Sequence, residues 1–232
     1  MTEISYQNVV KTFENNAVGL NHFNLNIEQG EFVFLLGKSG VGKSTSLRLL
    51  TKELEPTKGR VLVRDKDLAE ISRKELPFYR RSIGVVWQQT QLLPKKTVYQ
   101  NVAFALEVLE TEKKIIQQNV PAALGLVNMN KKADRYPKEL SGGECLKVAL
   151  ARAMVNNPMI LIADEPTGNL DEDSAWDIMC LLDEVNRCGV TVVVATHAIE
   201  MAKLMKKRMI VMRAGYVARD IPKGGLKPIL KE

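Results

Sequence analysis

Eight residues near the start of the chain, Gly37-Lys38-Ser39-Gly40-Val41-Gly42-Lys43-Ser44, follow the spacing G-x-x-x-x-G-K-[ST]. Glycines at those positions let consecutive backbone N–H groups converge on phosphate oxygens with no side chain in the way. A helix beginning just after them aims its free amides and the positive end of its dipole at the same point. The Lys43 ammonium is then expected to reach the β- and γ-phosphates, and the Ser44 hydroxyl to ligate Mg²⁺. The chemistry is that of a nucleoside triphosphate site. A second stretch, Ile160-Leu161-Ile162-Ala163-Asp164-Glu165, ends an apolar run in two carboxylates. Asp164 can bind the metal, directly or through its water, and Glu165 can accept a proton from an attacking water or orient it. A third, Leu140-Ser141-Gly142-Gly143-Glu144, sets Ser-Gly-Gly at a helix start, a second terminus suited to an anion.

These residues need elements that carry them to one place. Phe32–Leu36 is a short continuous apolar run, the pattern of a strand buried on both faces, and it leads straight into the glycine loop. Helical spacing follows over residues 43–51. Further strands are expected at residues 4–10, 25–27, 60–64, 83–87, 159–163 and 190–195, with a helix over 172–187 between the last two. From about residue 90 to 157 Leu, Val and Ala recur at three- and four-residue steps, punctuated by Pro94, Pro121, Gly125 and Pro137. This reads as a mainly helical insertion into an α/β core. A terminal hairpin is expected around Ala214-Gly215, and a basic mobile tail over residues 221–232.

A chain of 232 residues that is 45% hydrophobic and 26% charged has room for one large α/β domain with an inserted part, which excludes disorder along its whole length. No apolar run approaches the roughly 18–20 residues of a membrane-spanning helix, and the first residues lack the basic start and apolar core of a signal peptide. Cys145, Cys180 and Cys188 form no CxxC and are odd in number, which indicates reduced cytosolic thiols rather than disulfides or a zinc site. The net charge of +6 is carried entirely by the end of the chain, with nine basic and two acidic residues from Met201 on. Such an end suits anionic lipid headgroups or a solvated surface. No aromatic residues alternate with these charges as on a base-stacking platform, so nucleic acid is not an expected partner. His22 reads as structural or exposed.

Taken together, these motifs resemble the nucleotide-binding subunits of ABC (ATP-binding cassette) systems, over about residues 4–220. Gly37, Ser39, Gly40, Gly42, Lys43, Ser44 and Thr45 fall in the family's Walker A motif, and residues 160–165 look like Walker B with Glu165 as its catalytic glutamate. Residues 140–144 look like the ABC signature. Gln88 falls at the Q-loop, where the resemblance implies contact with nucleotide, metal and a groove for a membrane partner. Gly168-Asn169-Leu170-Asp171 resembles the D-loop, His197 the switch histidine, and Phe13 the aromatic that stacks on adenine. The implied fold is a P-loop NTPase core with a parallel sheet, an antiparallel β part at the N-terminus and an inserted helical subdomain. Its divisions would be a core of about 1–89 and 158–220 and a helical subdomain of about 90–157. The implied activity is Mg²⁺-dependent ATP hydrolysis by a head-to-tail homodimer. Two ATP molecules would lie at its interface, each between one chain's phosphate loop and the partner's Ser141, Gly142 and Gly143.

Within the family, residues 164–171 are similar to a bacterial branch of macrolide exporters, lipoprotein-release ATPases and a cell-division ATPase. Residues 30–37, 75–84 and 97–103 are most similar to the cell-division member. That likeness implies an integral membrane partner, a peripheral place at the cytoplasmic face of the bacterial cell membrane, and activation of cell-wall hydrolysis rather than solute transport. Three departures from the family pattern bear on rate and coupling: Cys145-Leu146-Lys147 for Gln-Gln-Arg, Gln89 for Asp and Trp87 for Phe. Cys145 is expected to make the ATPase thiol-sensitive.

Overall fold

The chain opens with an antiparallel pair, Thr2–Thr12 (β1) and Val18–Glu28 (β2). Both strands outrun the segments that alternation marks. Their ladder shifts register several times, and Asn8 and His22 sit at φ 51° and 46°. Such irregularities break the two-residue apolar period by which a strand is recognised. Phe32–Leu36 (β3) follows, then the glycine loop and the helix Lys43–Leu50 (α1). Lys58–Val63 (β4) and Lys66–Asp67 (β5) complete a four-stranded sheet in the order β2-β1-β4-β5.

After a short helix, Leu76–Arg81 (α2), comes the strand Ile83–Val86 (β6), which forms one edge of a second sheet. Three helices then intervene before the next strand: Val98–Glu107 (α3), Lys113–Leu126 (α4) and Gly142–Met154 (α5). The rest alternates, with Ile160–Asp164 (β7), Glu172–Arg187 (α6), Thr191–Thr196 (β8) and Ile199–Met205 (α7), and closes in the hairpin Arg208–Arg213 (β9) and Tyr216–Ile221 (β10). The computed structural model describes residues 1–225, so most of the expected basic tail lies outside the described residues. Among the described residues, no helix is long and apolar enough to cross a membrane.

The second sheet has the order β10-β9-β3-β8-β7-β6, parallel throughout except for β10. Its register settles where the chemistry goes. Leu36 lies opposite Thr196, and Asp164 opposite Ala195. The C-terminal ends of three adjacent strands therefore finish along one edge, where ligands of open parallel sheets bind.

The strands hold this position because both faces of the sheet are packed. Phe32, Phe34 and Leu36 of β3 face a core shared with α3, α4, α5 and α6, while Val33 and Leu35 face one shared with α1 and the four-stranded sheet. Each side chain buried there contributes about 1.5–3 kcal/mol. The apolar stripe of α6, with Ile178, Met179, Leu182 and Val185 all at most 1% exposed, makes it a permanent wall of the first core.

Candidate functional site

The loop after β3 is bent by Gly40 and Gly42, at φ 79° and 104°. A Cβ at Gly42 would come within 2.3 Å of the Gly19 carbonyl oxygen, so strand β2 itself requires a glycine there. Lys43 is 5% exposed and turns back over the loop. Its ammonium donates to the carbonyls of Gly37 (2.7 Å) and Lys38 (3.3 Å) and pairs with Glu165 Oε1 at 3.1 Å. Ser39 and Gly40 are exposed at the tip, and Ser44 and Thr45 are half-buried at the helix start.

Asp164 ends β7 and is buried, and its Oδ1 has no hydrogen-bond partner. Burial pushes its carboxyl above the usual range, an effect the neighbouring Ser44 hydroxyl partly offsets. A hard cation with oxygen ligands would satisfy that orphaned atom and relieve the desolvated charge. Ser44 and Asp164 thus fit Mg²⁺. Glu165 follows at φ 47°, a left-handed backbone rare for a branched or long side chain, held by its N–H on the Ala195 carbonyl at 2.8 Å. That turn sends the carboxylate back across the sheet edge. Its Oε1 meets Lys43, and its Oε2 takes His197 Nδ1 at 2.8 Å and the His197 backbone N–H at 3.3 Å. Three residues expected to be catalytic therefore form one contiguous chain, from three different loops.

Phe13 is partly exposed in the turn that follows β1. It lies against Gly19 together with Thr45, since a Cβ at Gly19 would fall 2.7 Å from the Phe13 ring and 3.0 Å from the Thr45 methyl. Gln88 is exposed past the end of β6 and lines a cavity of about 450 Å³ with Glu165, Pro166, Asn169 and Leu170. Arg152 of α5 holds this loop by donating to the carbonyls of Thr90 (2.7 Å) and Gln91 (2.9 Å), a link that no motif signalled. The ion pair between Lys43 and Glu165 was equally absent from sequence reasoning.

Ser141 caps α5, its Oγ accepting from Glu144 N–H while Glu144 Oε2 accepts from Ser141 N–H, both at 3.2 Å. This is a capping box, which leaves the first turn's remaining amides facing outward. Side chains added at Gly142 and Gly143 would meet Leu170 and Ser174. The expected signature thus abuts the expected D-loop, and none of these neighbours belongs to the phosphate loop. Lys147 pairs with Asp177 at 3.2 Å. Burial, with Glu144 adding to it, pushes the Cys145 thiol up, the direction that makes it a poorer nucleophile. His22 is exposed and bonds Asn8 through Nδ1 at 2.6 Å.

The family model described as ABC transporter matches residues 20–168. The cell division ATP-binding protein FtsE of Bacillus subtilis is 48% identical over 95% of this chain and 97% of its own length. The FtsE of Escherichia coli K12 is 39% identical over 92% of this chain and 96% of its own. Among solved structures, a dimeric ATP-binding cassette in a post-hydrolysis state with ADP and Pi bound superposes with a TM-score of 0.86 at 36% identity, covering 96% of this chain and all of that one. CbiO1 of Clostridium perfringens, part of the ABC transporter complex CbiONQ, gives a TM-score of 0.88 at 33% identity over 94% of this chain and 88% of that one.

Proposed function

The chain belongs to the ABC transporter family of ATP-binding subunits and is FtsE-like within it, and from that premise we propose that it is the ATPase of a bacterial cell-division complex. The observation that carries the reading is the contiguous set Lys43–Glu165–His197 beside the unpartnered, buried oxygen of Asp164. In this reading Gly37, Ser39, Gly40 and Gly42 cradle the ATP phosphates with their amides, Lys43 neutralises the β- and γ-phosphates, and Phe13 stacks on adenine. Ser44, Asp164 and Gln88 hold Mg²⁺, which supplies charge neutralisation across the phosphates when bound. Glu165 orients and polarises the attacking water, and His197 contacts the γ-phosphate while fixing the Glu165 carboxylate. The 3.1 Å pair between Lys43 and Glu165 means that a phosphate arriving at Lys43 competes with Glu165 and frees it for water.

The chain works as a head-to-tail homodimer in which the partner's Ser141, Gly142 and Gly143 complete each site. Its working parts are a core of about 1–89 and 158–220 and a helical subdomain of about 90–157. It sits peripherally on the cytoplasmic face of the cell membrane, where Gln88 relays the state of the nucleotide to an FtsX-like integral membrane protein. ATP-driven closure then activates cell-wall hydrolysis on the far side.

The test joins chemistry to partner. The purified chain hydrolyses ATP only with Mg²⁺, while Glu165→Gln retains ATP and, co-expressed with an FtsX-like protein from the same genome, copurifies with it in an ATP-dependent manner. Retention instead by a permease of an exporter or a lipoprotein-release system would reassign the complex and leave the ATP chemistry in place. Hydrolysis that persists in Glu165→Gln would remove the proposed role of that carboxylate.

A further inference from the structure

A phosphate received at the start of α5 would meet a second negative charge already there. Glu144 lies in the first turn, bound to Ser141 by both halves of the capping box. Its remaining oxygen, Oε1, accepts from the Lys132 ammonium at 2.5 Å. Lys132 does not belong to α5. It closes a short 3-10 turn, Asn130–Lys132, and the residues after it are tied to α3, with Val98 N–H donating to the Arg135 carbonyl and Tyr99 N–H to the Ala133 carbonyl, both at 2.8 Å. Lys147, the other cation acting on Glu144, is engaged with Asp177. The hydrogen bond from Lys132 is the largest cause holding the Glu144 carboxyl below its usual range, so the side chain stays ionised.

We propose that Lys132 is a positioning residue for ATP hydrolysis: by neutralising Glu144 it keeps the start of α5 attractive to phosphate, and by anchoring Glu144 to α3 it fixes Ser141 for the γ-phosphate held by the partner chain. The inference rests on the head-to-tail reading given above. A carboxylate in the first helical turn favours the helix dipole but cancels the field an incoming anion needs. Lys132 resolves the conflict, keeping the cap and removing the net charge.

The charge argument makes a prediction that a purely structural role does not. Steady-state hydrolysis is measured for the full-length parent, Lys132→Ala, Lys132→Arg, Glu144→Gln and the double variant Lys132→Ala/Glu144→Gln. Loss of Lys132 lowers kcat/KM about three- to fivefold in the Glu144 background, the effect expected of one partly exposed charge at a helix end. Lys132→Arg recovers most of it. Glu144→Gln, where glutamine keeps the capping box without the charge, retains near-parental turnover and there the same loss costs less than about twofold, whereas a purely structural ion pair would leave Glu144→Gln as impaired as Lys132→Ala. Equilibrium ATP binding by the separate chain is unchanged in Lys132→Ala, because that pocket is built from other loops. Equal losses in both backgrounds, or a loss of ATP binding, would overturn the role of Lys132 alone. A parent chain that binds ATP without turnover would overturn the reading of the site and this role with it.

Discussion

Asp164 keeps a charge in a place the fold would rather leave neutral. Burial removes one carboxylate oxygen from any hydrogen bond and raises the carboxyl above its usual range. A carboxyl whose folded pKa is raised weakens the fold at pH values above that pKa, and the penalty disappears as pH falls through it. Asp164→Asn removes the charge at nearly constant volume. It is expected to stabilise the nucleotide-free protein by about 1 kcal/mol, a rise of roughly 2–4 °C in melting temperature for a chain this size. The same change abolishes Mg²⁺-dependent hydrolysis. Thermal melting over a pH series checks the first part, and the gain should shrink toward acid pH as the parent carboxyl protonates. A variant no more stable than the parent at neutral pH would show that Asp164 is not strained by its surroundings. The residue type and its place after four apolar residues made Asp164 legible in the sequence, but its missing partner could be found only in three dimensions. The contact between Lys43 and Glu165 was hidden for a similar reason, because it depends on β3 and β7 flanking the same strand.

Loops and strands differ in how much of themselves they show. The glycine loop was fully legible because its spacing is set by phosphate geometry, and α6 was legible over its whole length because its apolar stripe keeps one period from Asp171, its cap, to Arg187. β2 was legible only over residues 25–27, where buried Leu25 and Ile27 alternate with exposed Asn26, because the adjacent exposed Asn21 and His22 interrupt that alternation toward its start. α2 was missed because six residues with Pro77 at the start and no buried side chain offer neither length nor stripe. Within the glycine loop, the two left-handed glycines have unequal surroundings. At Gly40 an added Cβ meets nothing within 4 Å, so Gly40→Ala costs only the backbone strain, about 1 kcal/mol. At Gly42 the same methyl collides with the Gly19 carbonyl and Leu20, so Gly42→Ala costs more, about 2–4 kcal/mol. Chemical denaturation without nucleotide measures both. Equal costs would mean that β2 yields freely and does not hold the loop.

At the scale of the whole molecule, the structure gathers Lys43, Asp164, Glu165 and His197 at one sheet edge, while Ser141, Gly142 and Gly143 stand at the start of α5 beside Leu170 and Ser174, across the cavity that Gly142 lines together with Glu165 and Gln88. In the proposed function these are two half-sites, and a second copy turned head to tail would bring each half to its complement, the closed twofold arrangement available to a self-complementary surface. This geometry predicts rescue between two inactive chains. Lys43→Ala has no competent phosphate loop but an intact start of α5, and Ser141→Ala has the reverse. Each alone is expected to lose nearly all turnover. Mixed in equal amounts, half of the dimers pair one chain of each kind, and each mixed dimer holds one complete composite site of two. Hydrolysis should then return to roughly a quarter of the parental rate if the sites act independently. It should fall off steeply on dilution below the concentration at which chains associate. Phosphate release from the two variants, separately and mixed across a concentration series, measures this directly. A mixture as inactive as its parts would mean either that each chain completes its own site or that both sites must fire together. Tethering one parental chain to one double variant, Lys43→Ala/Ser141→Ala, separates these. With both defects in one chain, each composite site lacks one half, so head-to-tail pairing leaves it dead, whereas a self-sufficient parental chain would retain half of the parental rate.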